Sequence, residues 1–265
     1  MLSENQAKFC VRAKFIPTPE GGQKLAMVQS FSRQAFLPEG WEALDKPAKR
    51  EERDIERSES DPLANVIRAT RRAKVEAFDI ILCNHDIDTF ATLTYAPERV
   101  GDKCSYDECY EALRPWLSNR VQRKGLKYVI APERHKSGAI HFHMLANSSA
   151  LRMEQAMSPY TGKPLKHDGN LLFNLPDWDY GFTSAEIIRG SENDREAVAK
   201  YIFKYMGKQA GEKIGGRYFL HGGAMVRPHY EYGNDAREFF GGEIPTNSRE
   251  VEAVPGVVYR EWSFI

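Results

Sequence analysis

Apolar and polar residues follow clear periods through the middle of the chain, and those periods predict its secondary structure. Residues 90–95 alternate and are rich in β-formers, which predicts a strand ending before Pro97. Over residues 107–123 the apolar side chains recur at helical spacing, and Gly125 follows as a helix stop. The same patterns predict a helix from Pro62 to about Lys74, strands over residues 127–133, 139–146 and 182–188, a helix over residues 194–209, and a last strand over residues 217–220.

A short polar segment separates two of these predicted strands. It consists of Lys136, Ser137 and Gly138, which suits a three-residue hairpin loop with the glycine in the left-handed conformation. Strands joined by such a loop run antiparallel. Taken with the helices, the pattern predicts an α+β fold with a central, mainly antiparallel β-sheet that is flanked by helices.

Changes in composition along the chain predict its domain organisation. Residues 43–74 are rich in charge, which is typical of a solvated helical or loop region. We therefore expect an N-terminal extension and charged linker over residues 1–74, the main domain over residues 75–225, and a C-terminal tail over residues 226–265. The tail is expected to be loosely structured from about Gly241.

The bulk composition narrows the function only slightly. Lys plus Arg and Asp plus Glu both number 37, so the chain is formally neutral, but a nucleic-acid enzyme needs only local positive charge. No apolar run is long enough for a membrane span, and no signal peptide is indicated, so we expect no membrane association. The four cysteines show no CxxC spacing, which argues against zinc fingers and favours reduced thiols in a cytoplasm.

One face of the predicted hairpin gathers metal-binding side chains. His141 and His143 alternate along a strand and therefore point the same way, and Glu133 is expected roughly opposite His141 on the neighbouring strand. Two imidazoles and a carboxylate suit Mg²⁺ or Mn²⁺, whereas zinc lacks an obvious fourth ligand. The alternative is a solvent-facing strand with incidental histidines. His135 is expected in the turn, at the surface.

The predicted helix over residues 194–209 combines an apolar stripe with a polar edge. The stripe should pack on the sheet, and it consists of Val198, Ala199, Ile202, Phe203 and Met206. Tyr201 and Tyr205 lie four residues apart at its edge, and Lys204 and Lys208 are spaced likewise just beyond them. Such a row could attack and stabilise a phosphate. Alternatively, both tyrosines are packing residues with solvated hydroxyls.

Three segments in this order resemble the motifs of the HUH endonucleases, in which U is a hydrophobic residue. Residues 90–95 (FATLTY) resemble the first motif, and His141-Phe142-His143 resembles the metal motif, with Glu133 at the position of the usual third ligand. Residues 201–208 (YIFKYMGK) are similar to the YxxxYxxxK motif of two-tyrosine rolling-circle replication initiators of single-stranded-DNA phages. The resemblance covers roughly residues 75–225 and implies an RRM-like palm. A P-loop, and with it a helicase domain, is absent from the sequence.

The resemblance implies a metal-dependent enzyme that nicks and rejoins single-stranded or hairpin origin DNA in a bacterial cytoplasm, in a phage or plasmid context. One tyrosine would attack the scissile phosphate with Mg²⁺ or Mn²⁺ bound, and a host helicase and DNA polymerase would be partners. Basic residues close in sequence to the metal strands are candidates for tracking the DNA backbone. They are Arg120, Arg123, Lys124, Lys127, Arg134 and Lys136, and the alternative is a solvated helix end.

Three other functions remain open from the sequence. A two-tyrosine transposase of the same superfamily would use the same chemistry. A metal-dependent hydrolase that activates water would keep the histidines but would not need Tyr201 or Tyr205. A catalytically silent DNA-binding replication or repressor protein would need neither set. Trapping a covalent protein–oligonucleotide adduct would separate these functions from nicking and rejoining.

Overall fold

Two antiparallel sheets organise the chain, each in its own compact unit. The computed structural model describes residues 11–33, 62–188, 199, 202, 213–233, 239, 246–250 and 257–264. One unit is Pro62–Val226, and the other combines Met1–Asp61 with Arg227–Ile265. The sequence boundaries at residues 75 and 225 thus lie inside the first unit.

The unit Pro62–Val226 is built on a seven-stranded antiparallel sheet. Its strands are β3 (Thr89–Leu93), β4 (Tyr128–Arg134), β5 (Ile140–Ala146), β6 (Glu154–Gln155), β9 (Phe173–Asn174), β10 (Thr183–Ile187) and β11 (Leu220–Gly222), while β7 (Lys166–His167) and β8 (Asn170–Leu171) pair separately. The seven strands stand in the order β11-β4-β5-β3-β10-β9-β6. With two helices alongside the sheet, the predicted α+β fold is confirmed and is consistent with an RRM-like palm.

The two helices begin and end as their local sequence dictates. Helix α1 spans Pro62–Cys83. It continues past the predicted end at Lys74 because Ala77, Ile80 and Ile81 extend a buried apolar stripe. Helix α2 spans Tyr106–Lys124, where the Ser105 hydroxyl accepts the Glu108 N–H at one end and Gly125 adopts a left-handed φ of 68° at the other.

Strand alternation divides the apolar residues of this sheet between two cores. On one face, Phe142 and Met144 are buried with Leu113 and Trp116 of α2. On the other face, Val129, Ala131 and Leu145 are buried with Ala77, Ile80 and Ile81 of α1. We call these the α2 face and the α1 face. Because Glu133, His141 and His143 share the parity of Ala131 and Leu145, they belong to the α1 face.

The other unit contains a five-stranded antiparallel sheet. Its strands are β1 (Val11–Pro17), β2 (Gln23–Arg33), β12 (His229–Gly233), β13 (Asn247–Glu250) and β14 (Val257–Ser263), in the order β12-β1-β2-β14-β13. Val11, Ala13, Val28 and Trp262 form its buried core. The expectation of a loosely structured tail from about Gly241 is therefore wrong for the described residues of β13 and β14, which the N-terminal strands pair into a sheet.

Several remaining predictions can be compared with the structure. The predicted last strand over residues 217–220 is displaced toward β11, where Leu220 pairs with Ile130. Of the predicted helix over residues 194–209, Ala199 and Ile202 are described, and both are helical and buried. None of the helices in the described ranges has an apolar stretch long enough to cross a membrane. Cys83, Cys104 and Cys109 are free thiols.

Candidate active site

The hairpin of β4 and β5 has the register that the sequence predicts. Glu133 and His141 are directly paired across the two strands. The loop closes where the His135 N–H donates to the Ala139 carbonyl at 2.8 Å, and Gly138 takes a φ of 88°. Glycine carries no Cβ and therefore adopts this backbone conformation without strain. The turn thus fixes Glu133, His141 and His143 on one face.

His143 lies at the centre of a chain of polar contacts. Its Nε2 is 2.7 Å from Glu133 Oε2, and its Nδ1 is 3.1 Å from the Thr92 hydroxyl on the neighbouring strand β3. The carboxylate can only accept, so the imidazole Nε2–H donates to it, and in the neutral ring Nδ1 accepts the Thr92 O–H. Phe90 stacks on the imidazole with a centroid distance of 5.9 Å and an interplanar angle of 8°. His143 is therefore held from three sides.

His141 lies on the same face but has a different set of contacts. It is half-buried, and its ring stacks on His135 with the centroids 5.0 Å apart. Burial lowers the pKa of His141, and the nearby His135 lowers it further. A lowered pKa favours the neutral imidazole, whose lone pair is available to a metal. His135 itself is exposed, as the sequence predicts.

The three predicted ligands fit a divalent cation in chemistry and only partly in position. Within the described part of the chain, no group of three or more His, Cys, Asp or Glu side chains has the arrangement of a metal site. Glu133 Oε2 and His143 Nε2 are close enough to share one ion at ligand distances of about 2.1 Å. His141 points to the same side, and the mixed nitrogen and oxygen set is one that Mg²⁺ or Mn²⁺ accepts.

The residues predicted to perform the chemistry belong to the segment that follows β10. Tyr201, Lys204, Tyr205 and Lys208 lie outside the described residues, and their roles stay a prediction. The neighbouring helical residues Ala199 and Ile202 are fully buried in the α1-face core. These two members of the predicted apolar stripe therefore pack on the same sheet face that carries Glu133 and His143.

The predicted DNA-tracking cations do not gather at this face. Arg120, Arg123 and Lys124 belong to α2, on the opposite face, and Arg120 pairs with Asp177 at 2.9 Å and covers the Trp116 ring. Lys127 pairs with Asp86 at 2.9 Å.

Two further predicted cations lie at the hairpin turn. The Arg134 guanidinium donates to the carbonyls of Cys104 and Gly138, at 2.9 and 3.1 Å, and so fastens the turn. Lys136 is exposed in the turn. A DNA-binding role for all six residues stays a prediction.

Two supporting residues of the site were missed from the sequence. Thr92 orients His143, and Phe90 stacks on it, and both lie in the segment FATLTY that resembles the first motif. The signal was the alternation of that strand, since Phe90, Thr92 and Thr94 must share one face. The cross-strand pairing of Thr92 with His143, which brings the two together, is a tertiary fact.

Comparison with known proteins yields one match. Residues 88–210 match the family described as Replication-associated protein ORF2, a segment that includes β3, the hairpin and residues 201–208. The matched segment is less than half of the 265 residues. No curated protein and no solved structure matches the chain. The match supports a replication initiator role.

Proposed function

We propose that this chain initiates rolling-circle replication by nicking single-stranded origin DNA with a tyrosine and later rejoining the ends. The observation that carries the proposal is the contact chain of Glu133, His143 and Thr92 on the α1 face, on which Ala199 and Ile202 of the tyrosine segment are also buried. The similarity of residues 88–210 to replication-associated proteins supports the same role.

The proposed reaction exchanges one phosphate ester for another. The phenolic oxygen of Tyr201 or Tyr205 forms a bond to phosphorus as it loses its proton, and the bond from phosphorus to the 3′ oxygen breaks. That oxygen takes up a proton and leaves as a free 3′-OH, while the 5′ phosphate remains on the tyrosine. Reversal by another 3′-OH rejoins the DNA. Because the number of phosphate ester bonds is unchanged, the cycle needs no ATP.

The side chains of the site would divide the work of this exchange. Glu133, His141 and His143 would hold Mg²⁺ or Mn²⁺, and Thr92 would keep the His143 ring in its orientation. The bound cation would supply Lewis-acid polarisation of the scissile phosphate. Lys204 and Lys208 would offset the negative charge that develops on that phosphate. Such a site takes single-stranded or hairpin DNA, whose free 3′-OH a host polymerase can extend once a host helicase opens the duplex.

A covalent adduct is the decisive test of the proposal. The full chain, incubated with origin oligonucleotides and Mn²⁺, should give a species that survives denaturation and carries the 5′ phosphate end of the cut strand. The double substitution of Tyr201→Phe and Tyr205→Phe should remove it completely, since no phenolic nucleophile remains. Tyr160→Phe, at an exposed tyrosine in the turn between Ser158 and Lys163, is the matched control and should leave the adduct unchanged. An adduct with the double variant would contradict the assignment.

The two tyrosines are further proposed to act in alternation. Either single Tyr→Phe change should then allow one cut but block the release of closed single-stranded circles, because the second cut lacks its nucleophile. Circle release is measured on a substrate with two origins, by gel analysis of the products. Normal circle release by Tyr201→Phe would mean that Tyr201 is a packing residue and that the enzyme works with one tyrosine.

A further inference from the structure

An exposed aromatic side chain lies on the same sheet face as the candidate site. Phe182 precedes β10 and is 84% exposed, although large apolar side chains normally lose most of their contact with water on folding. The α2-face residues nearby, Leu93 and Ala185, are fully buried. The exposure of Phe182 is therefore specific to one face of this part of the sheet.

The strand register links Phe182 to the hairpin. Leu93 pairs with Phe142 on one side and with Thr183 on the other. One residue further along the same register, Thr94 lies between His141 and Phe182, and its N–H donates to the Phe182 carbonyl at 3.0 Å. A cross-strand row on the α1 face thus runs from Glu133 through His141 and Thr94 to Phe182.

The spacing of this row suits a nucleic-acid strand. Adjacent strands are about 4.8 Å apart, so Phe182 lies roughly 10 Å across the sheet from His141. That distance is within reach of the nucleotides beside a phosphate held at His141. Thr94 is half-buried and Ser184 is exposed, so the surface between them offers hydroxyls and no large side chain.

The backbone that carries Phe182 is clamped in place. The Phe182 N–H donates to the Thr94 hydroxyl at 3.0 Å, and the Trp178 indole N–H donates to the Thr94 carbonyl at 2.9 Å. Gly181 packs so closely that a Cβ there would collide with the Thr94 carbonyl oxygen. An exposed ring on a fixed backbone loses little conformational entropy when a ligand stacks on it.

We propose that Phe182 is a stacking platform for a base of single-stranded DNA next to the phosphate at the candidate site. The inference rests on the proposed function for its choice of ligand, since the row begins at the residues assigned to the scissile phosphate. An aromatic face stacks on any base, so the platform adds affinity and position without sequence preference.

Binding of uncut DNA tests this inference separately from catalysis. The full-length chain is titrated in EDTA, by fluorescence anisotropy, against a labelled single strand of mixed sequence and against an abasic strand of the same length. Phe182→Ala should weaken binding to the normal strand by roughly tenfold, and Phe182→Leu by a similar factor. Phe182→Trp should keep wild-type affinity. On the abasic strand all four proteins should bind alike, because phosphate contacts remain and stacking does not.

The control lies on the same strand and the opposite face. Ile187 is 43% exposed at the far end of β10 with the parity of Ala185, so Ile187→Ala removes exposed apolar surface without touching the row and should bind both strands like wild type. Thermal unfolding checks that each variant folds; if Phe182→Ala did not, the contrast between Trp and Leu decides the outcome.

The remaining outcomes separate the two proposals. Unchanged affinity of Phe182→Ala for the normal strand, or an equal loss on the abasic strand, overturns the stacking platform. Loss of self-association without an effect on DNA would overturn it too, in favour of a protein-docking surface. Normal adduct formation together with either result leaves the proposed function standing. Confirmed stacking without any adduct overturns the nicking function alone.

Discussion

The two faces of the seven-stranded sheet differ in what their side chains do. The α2 face is a continuous apolar core in which Phe142, Leu113 and Met144 are fully buried. The α1 face is apolar toward Leu145 but turns polar toward the hairpin turn, where Glu133 and His143 meet. The central strands contribute alternate residues to both, so a single strand such as β5 serves packing and chemistry at once. The comparison indicates that stability and activity can be changed separately, residue by residue.

The largest expected effect follows from removing a predicted ligand from the α1 face. His141→Ala should reduce cleavage of an origin oligonucleotide at least about a hundredfold, since the loss of a ligand typically impairs both metal affinity and phosphate activation. The half-buried ring stacks on the exposed His135, so the variant should unfold at nearly the wild-type temperature. Excess EDTA should inhibit the wild type as strongly. Full activity of the variant, or full activity in EDTA, would contradict the metal site.

The adjacent residue on the α2 face should give the reverse result. Phe142 is fully buried and lies against Tyr95 and Tyr106, so Phe142→Ala should lower the free energy of unfolding by about 3–5 kcal/mol. Cleavage per folded molecule should stay near wild type at a temperature where the variant is folded. Chemical denaturation measures the first quantity, and active-site titration through the adduct measures the second. A stable variant that cannot cleave would break the division between the two faces.

Charge reversal should show which face the DNA meets, with a smaller effect. Arg71 and Arg72 are exposed on α1, and Arg123 and Lys124 are exposed on α2. Reversing the first pair to Glu should weaken single-strand binding by roughly tenfold at low salt and flatten its salt dependence, whereas reversing the second should change it by about twofold or less.

The two charge variants are matched in number, spacing and exposure. Equal losses from both would mean that the field of the whole chain attracts the DNA. A larger loss from Arg123 and Lys124 would restore the sequence-based expectation that the end of α2 tracks the backbone.

Much of the candidate site could be predicted from local sequence. The period of two in β5 sets His141 and His143 on one side, and Gly138 permits only a narrow set of turns, so the pairing of Glu133 with His141 follows from short-range rules. The helical period of α2 and its stop at Gly125 are local in the same sense. These predictions succeed because each depends on neighbours within a few residues.

Predictions that depend on distant parts of the chain are less successful. Nothing local in residues 247–263 indicates that β14 pairs with β2, more than two hundred residues earlier, so the sequence predicts a loose tail where the structure has strands. The cations of α2 are near the metal strands in sequence, yet the helix packs on the other face. Sequence proximity fails there because an antiparallel connection can place a helix on either side of a sheet.

The sequence by itself determined the α+β class, the hairpin and the face that Glu133, His141 and His143 share, since backbone alternation and turn geometry act over a few residues. Only the tertiary structure decided that Glu133 bonds to His143, that Thr92 and Phe90 hold that ring, and that Phe182 stands in the same row as His141. Those neighbours come from strand β3 and the start of β10, whose order in the sheet is set by burial of the whole set of apolar residues. That global sum is not visible in any short segment.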